Sequence, residues 1–272
     1  MSPPLGFKRV VIGLPQSVAS QAAVNVVADL AELLNVELLA TFVADSSLYA
    51  LAGFPAAREL RILDHCWQPI NLTQIKQDID HAAGAARRCF AEAVGRRAIK
   101  SGFNVVTGTD VMASLIRADD IVAIIEPAHP GDKITQQFTT HLAAALATAR
   151  AVLVLPKRIA RTTGPVMALA SGNDDTSIRM ALDIAASLNE RLIVVSRLGG
   201  AVPGALLADA QKRGVPVEDV ADPGLGTQID GFAISAKERL RVVSLNRLSD
   251  DVSELFATLR GVPLLVVTSS HP

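Results

Sequence analysis

Ala147-Thr148-Ala149-Arg150-Ala151-Val152-Leu153-Val154-Leu155 runs from a helix end into an apolar strand, and Ala257-Thr258-Leu259-Arg260-Gly261-Val262-Pro263-Leu264-Leu265-Val266-Val267 repeats that plan. A second echo lies upstream of each. Asp29-Leu30-Ala31-Glu32-Leu33-Leu34-Asn35 precedes an apolar strand, as Asp183-Ile184-Ala185-Ala186-Ser187-Leu188-Asn189 does. Two echoes in the same order predict a duplicated α/β unit, so any ligand site is to be sought twice.

Outward from these strands, the first half reads as alternating strands and helices. Arg9-Val10-Val11-Ile12-Gly13 is a short β-branched run ended by Gly13 and Pro15, the pattern of a buried parallel strand. Ser17 or Ser20 caps a helix whose Ala23, Val24, Val27, Leu30, Ala31 and Leu34 form one apolar stripe. Asn35 closes it and Glu37 to Ala44 forms the next strand. The segment Asp45 to Ile70 fits no simple unit and reads as an insertion with a short helix. Its Leu48, Tyr49, Leu51, Phe54, Leu60, Ile62 and Trp67 either cover the first sheet, the simpler expectation, or line a pocket or partner surface. Asn71 caps a long helix to about Lys100. Asn104 to Thr107 is a strand, Val111 to Arg117 a short helix, Ile121 to Ile125 a strand, Gln136 to Ala149 a helix and Ala151 to Leu155 the closing strand.

Pro156 to Thr163 reads as the linker. The second half then gives strands at Pro165–Ala170, Leu192–Ser196, Val215–Val220, Leu240–Leu245 and Pro263–Val267. Its helices are expected at Asp174–Leu188, Leu206–Arg213, Gln228–Lys237 and Asp250–Leu259.

Composition narrows the function. The 272 residues carry 26 basic and 27 acidic side chains, a net charge of −1 and 50% apolar residues. Such a chain buries a core without disulfides or metal, and it lacks the positive field that nucleic-acid binding needs. Its apolar runs are far shorter than the roughly 20 residues that span a bilayer, and Met1 to Lys8 does not read as a signal peptide. A cytoplasmic protein is expected, with no nucleic-acid or membrane partner and with Cys66 and Cys89 as reduced thiols.

Two tandem βαβ(α)βαβαβ units, each opening with an apolar strand and a Ser-containing turn and closing on a Leu/Val-rich strand, resemble the universal stress protein family in its tandem form. The resemblance runs from about Arg9 to Thr268. It implies an α/β fold of two tandem, doubly wound, parallel five-stranded sheets, of the adenine nucleotide alpha hydrolase-like kind. The first domain would span 1–157, with the insertion at about 45–70, and the second, shorter one 164–272. It also implies an internal pseudo-dimer through the last strands, which would otherwise be exposed edges, and allows a homodimer.

ATP-binding members of that family carry a turn after the fourth strand with GxxG, then Gly-Ser or Gly-Thr about nine residues on; the glycines let backbone N–H groups approach phosphate. Here the corresponding stretches are Glu126-Pro127-Ala128-His129-Pro130-Gly131-Asp132-Lys133 and Asn246-Arg247-Leu248-Ser249-Asp250-Asp251. Prolines lack the N–H, carboxylates repel phosphate, and the second stretch has no glycine. Where the family places an Asp after the first strand, Pro15 and Gly172 stand, with Asp174 near enough in sequence to substitute. The expectation is a stress-response binding or regulatory protein without turnover and with no cofactor. An ATP-binding member using altered loops is the first alternative, and a small-molecule or protein-binding scaffold using the insertion is the second. Candidate ligand contacts are Gly13, Gln16, Ser17, Glu126, Gly131 and Lys133 in the first half, and Asn173 and Asp174 in the second.

Other chemistry is thinly represented. His65, Cys66, His81 and Cys89 match no closed zinc spacing. Asp119-Asp120 and Asp250-Asp251 read as a solvated turn and a helix start. No GxSxG, HExxH, P-loop or GxGxxG occurs, so no catalytic residue and no metal ligand is assigned.

Overall fold

The computed structural model describes residues 7–14, 21–44, 46–61, 65–108, 114–126, 136–170, 176–197, 202–222, 237–245 and 261–268. The expected helix at Asp250–Leu259, that at Gln228–Lys237 apart from Lys237, and the first three residues of the one at Val111–Arg117 lie outside these residues; of the remainder of the last, Ser114 and Leu115 are helical.

The first half supplies β1 (Arg9–Leu14), α1 (Gln21–Leu34), β2 (Glu37–Ala44), α2 (Ser46–Ala52), β3 (Arg58–Arg61), β4 (Cys66–Pro69), α3 (Leu72–Val94), β5 (Ser101–Thr107), β6 (Asp120–Ile125), α4 (Gln136–Thr148) and β7 (Ala151–Leu155). The second half supplies β8 (Val166–Ala170), α5 (Thr176–Leu188), β9 (Leu192–Arg197), α6 (Gly204–Lys212), β10 (Val217–Asp222), β11 (Leu240–Ser244) and β12 (Leu264–Val267). All but the β3–β4 hairpin join one 10-stranded sheet in the order β10-β9-β8-β11-β12-β7-β6-β1-β2-β5. Within each half the pairing is parallel. The halves meet where β7 and β12 pair antiparallel, with Leu153 opposite Leu265. Thr268 seals that seam, its N–H on the Arg150 carbonyl at 3.0 Å and its hydroxyl on the Ala149 carbonyl at 2.8 Å.

The strands of the two halves therefore run in opposite directions. Each half has the same internal order, with its first strand at the centre and a reversal beside it. Near-continuous apolar runs form these strands because both faces are covered, as parallel sheets require; every residue of β7, β11 and β12 is buried.

The repeat is also written into one turn. Asn35 (φ 51°) and Asn189 (φ 53°) both adopt the left-handed conformation that ends a helix. In the first copy Val36 N–H reaches back to the Ala31 carbonyl at 3.0 Å; in the second Glu190 N–H reaches the Ala185 carbonyl at 3.0 Å. Asparagine tolerates this backbone where a β-branched residue would not. The turn delivers the chain into β2 or β9 beside the opening strand.

On one face of the sheet α1 packs against α3 and α5. Ala23, Val24, Val27, Ala28, Leu30, Ala31 and Leu34 are buried on α1, each large apolar side chain being worth about 1.5–3 kcal/mol. On the other face Leu142 and Ala145 of α4 cover Val122, Val152 and Val266. Asp183 of α5 is buried as well, and its charge is answered by Arg213.

Three expectations need correction. Helix α3 starts as expected, Asn71 accepting from the N–H groups of Thr73 (2.9 Å) and Gln74 (3.3 Å), but it ends at Val94 rather than near Lys100. The chain must leave the helix there for Lys100 to accept from Leu38 N–H at 2.9 Å, and β5 consequently begins at Ser101, not Asn104. Asp119-Asp120 is not a solvated turn. Asp120 is fully buried, holding Arg9 through Nε at 2.9 Å and Nη2 at 2.7 Å and the Arg117 N–H at 2.8 Å, while Asp119 meets exposed Lys8 at 2.8 Å. The insertion does contain its short helix, α2, and also the unforeseen hairpin, in which Leu60 faces Trp67. Leu51 (51%), Phe54 (65%), Leu60 (47%) and Trp67 (62%) stand exposed, so they do not cover the sheet.

Candidate functional site

In open α/β sheets ligands bind outside the carboxyl ends of the strands, where the strand order reverses. Here that point lies between β1 and β6 in the first half and between β8 and β11 in the second. Because the halves run oppositely, the two crevices open at opposite rims of the sheet.

At the first rim, β1 ends on buried Leu14 and β6 ends on Ile125, followed by Glu126. The Glu126 N–H bonds the Leu155 carbonyl at 2.7 Å, and its Oε2 accepts from Lys157 N–H at 2.9 Å. This carboxylate braces the chain leaving β7. Gly13 sits on the neighbouring strand, opposite Thr41 of β2, which is itself opposite Asn104 of β5. Gly13 and Glu126 thus reach the same end of adjacent strands. Gln16, Ser17, Gly131, Lys133, Asn173 and Asp174 lie outside the described residues.

Thr41 was not singled out from sequence. It is fully buried and its Oγ1 has no hydrogen-bond partner among the described residues. A lone hydroxyl within the apolar run Leu38-Leu39-Ala40-Thr41-Phe42-Val43 was the available signal.

At the second rim, β8 ends on Ala170 and β11 on buried Ser244. Two strands away from β8, at the sheet edge, Asp219 of β10 accepts from Ser196 Oγ of β9 and from Val202 N–H, each at 3.2 Å. At the amino end of β11, buried Glu238 binds Arg241 Nη2 at 2.7 Å and Nε at 3.0 Å. A groove of about 360 Å³ lies at the amino ends of β1, β2 and β5, lined by Phe7, Lys8, Asn35, Glu37, Ile99 and Lys100. That is the rim opposite to the switch point. Its backbone donors at Lys8 and Glu37 are already spent on Asp119 and Lys8 carbonyls, so the groove is a seam between strands.

Electrostatics at these places are structural in kind. The hydrogen bond to Asp120 holds the Arg9 guanidinium above its ordinary value despite partial burial. Its bond to Asp183 does the same for Arg213. Burial, with Glu92 nearby, pushes the Cys89 thiol up, away from the thiolate a nucleophile needs. Burial lowers His141 on α4. Among the described residues no three His, Cys, Asp or Glu side chains gather closely enough to hold a metal ion, and no helix is long and apolar enough to cross a membrane.

Comparison with known proteins places this geometry in one fold. No family model matches the sequence, and no curated protein does. Among solved structures, a universal stress protein from Archaeoglobus fulgidus DSM 4304 is similar at TM-score 0.60 and 12% identity, over 95% of this chain and 96% of that one. A Pseudomonas aeruginosa UCBPP-PA14 chain assigned as a universal stress protein is similar at TM-score 0.50 and 13% identity, over 96% and 93%. The cytoplasmic domain of a prokaryotic cation chloride cotransporter is similar at TM-score 0.50 and 11% identity, over 96% and 95%. The chain has the α/β fold, built on a large and mainly parallel sheet, that these structures share.

Proposed function

We propose that this chain is a tandem universal stress protein-like binding or regulatory protein of the cytoplasm, acting without turnover. Its two domains, 1–157 and 164–272, serve as an internal pseudo-dimer. The strand order repeated in both halves and the antiparallel β7–β12 seam support that reading. The observation that carries the regulatory assignment is the state of the first crevice. Glu126, the residue opening the turn after β6, is committed to bracing Lys157 N–H, and the turn it opens contains prolines where a phosphate cradle needs N–H groups.

Calorimetric titration of the purified chain with ATP, with and without Mg²⁺, tests this. No saturable heat is expected below millimolar nucleotide. Tight, Mg²⁺-dependent binding that falls at least tenfold in Lys133→Ala would establish the alternative, an ATP-binding protein using altered loops.

A second reading has its own observation. The exposed Leu51, Phe54, Leu60 and Trp67 form apolar surface on the insertion, which suits a scaffold that takes an apolar small molecule or protein segment. Binding of a hydrophobic fluorescent dye that is lost in Trp67→Ser and Phe54→Ser supports it; unchanged dye binding sinks it.

A further inference from the structure

The two outer edges of the large sheet are unlike. Strand β10 carries Glu218 and Asp219, and charge is one way in which natural sheets keep an edge from pairing. Strand β5, Ser101-Gly102-Phe103-Asn104-Val105-Val106-Thr107, carries no charge.

Its hydrogen-bonding state follows from the register. Leu38 N–H bonds the Lys100 carbonyl and Gly108 N–H bonds the Ala44 carbonyl at 2.9 Å, so in this parallel ladder the even-numbered residues of β5 face β2. The N–H and carbonyl groups of Ser101, Phe103, Val105 and Thr107 consequently point outward. Ser101, Asn104, Val105 and Thr107 are exposed, Val105 by 50%. The edge is also stiff. Phe103 packs on Phe90 with ring centres 6.0 Å apart, and the Arg87 guanidinium lies 4.9 Å from the Phe103 ring centre.

We propose that β5 is the site at which two copies of this chain pair, antiparallel, about a two-fold axis through Asn104. In that register Phe103 meets the second copy's Val105 and Ser101 meets its Thr107, so every outward donor finds an acceptor. The aromatic and β-branched side chains then lie directly opposite, a favourable cross-strand pair. No residue of β5 itself brings a charge to the axis, and a chain of net charge −1 does not repel its copy at long range. A second copy fits better than an unrelated extended peptide because the strand is complementary to itself in this register. Growth stops at two because the remaining edges are the acidic β10 strands.

The proposal is independent of the ligand question. Sedimentation velocity of the full chain across about 1–200 µM, the range suited to a small interface, should show a mass twice the single-chain 28.6 kDa at the upper end. Asn104→Lys and Asn104→Glu each place like charges opposite across the axis, so each alone should remain at single-chain mass. Their equimolar mixture should regain the doubled mass. Val105→Pro removes one outward N–H without touching the bonds to β2, and it should weaken association at least tenfold. Unchanged thermal unfolding of the variants certifies that they fold. A wild-type chain that stays single throughout, or a dimer that survives Asn104→Lys and Val105→Pro, or a Lys/Glu mixture that fails to pair, overturns the assignment.

Discussion

Asp120 and Arg9 sit 111 positions apart in sequence and are joined by two hydrogen bonds at the amino end of the central strands. A buried pair of this kind adds little net stability over an apolar pair, but removing one partner leaves an uncompensated charge inside. Asp120→Leu alone should cost about 3–5 kcal/mol in chemical denaturation. The double variant Arg9→Met/Asp120→Leu should recover most of that loss. Equal destabilisation in both would mean that the carboxylate matters chiefly through the Arg117 N–H. The sequence could not announce this pair. Asp119-Asp120 carries the local signature of a polar turn, and only the packing of β1 against β6 decides which of the two carboxylates is buried. Asn35 and Asn189 are the reverse case: a Leu-Asn step at the end of an apolar helical stripe signals a left-handed cap locally, and both form one.

At the scale of elements, legibility follows how much of an element's identity is local. Strand β7 has the boundaries read from its apolar run, Ala151–Leu155, because a fully buried parallel strand needs only continuous apolar residues between helix and loop. The hairpin β3–β4 escaped the sequence because Arg58, Glu59 and Leu60 of β3 and Cys66, Trp67, Gln68 and Pro69 of β4 show no buried face to generate an alternation, and His65 just before β4 stands at φ 49°. Helix α4 was foreseen almost to the residue, but the state of its histidine was not. Burial holds His141 below its ordinary value. The unfolded chain therefore takes up the proton first, and stability is fully present above about pH 6.5, the unfolded value. It declines as the pH falls below that toward the folded value. His141→Gln should flatten this decline as the pH falls below about 6.5, measured as the denaturation midpoint against pH. An identical slope in the variant would assign the acid sensitivity to other groups.

For the whole molecule, the two halves form a single sheet in which Leu153 of β7 meets Leu265 of β12. Both side chains are buried in a core that also includes residues of α1 and α5. Leu265→Ala should cost about 2–5 kcal/mol. Hydrogen exchange should quicken in β1 as well as in β8, since the seam supports both halves. Acceleration confined to β8 and β11 would show the halves unfolding separately. Most of the candidate ligand contacts belong to turns, where sequence supplies residue types but not geometry. Of those predicted, Gly13 lies on β1 and Glu126 directly follows the adjacent β6, whereas Thr41 stands out through its buried hydroxyl, which has no hydrogen-bond partner among the described residues.

The antiparallel seam has a consequence for how such a chain could be read by its surroundings. With the two crevices facing away from each other across strands some 20 Å long, no single small molecule can touch both, and whatever docks at one leaves the other free. On the proposed reading the chain is a two-headed token rather than a clamp: each head would fill or fall silent on its own, while the shared spine keeps both present at a fixed one-to-one ratio.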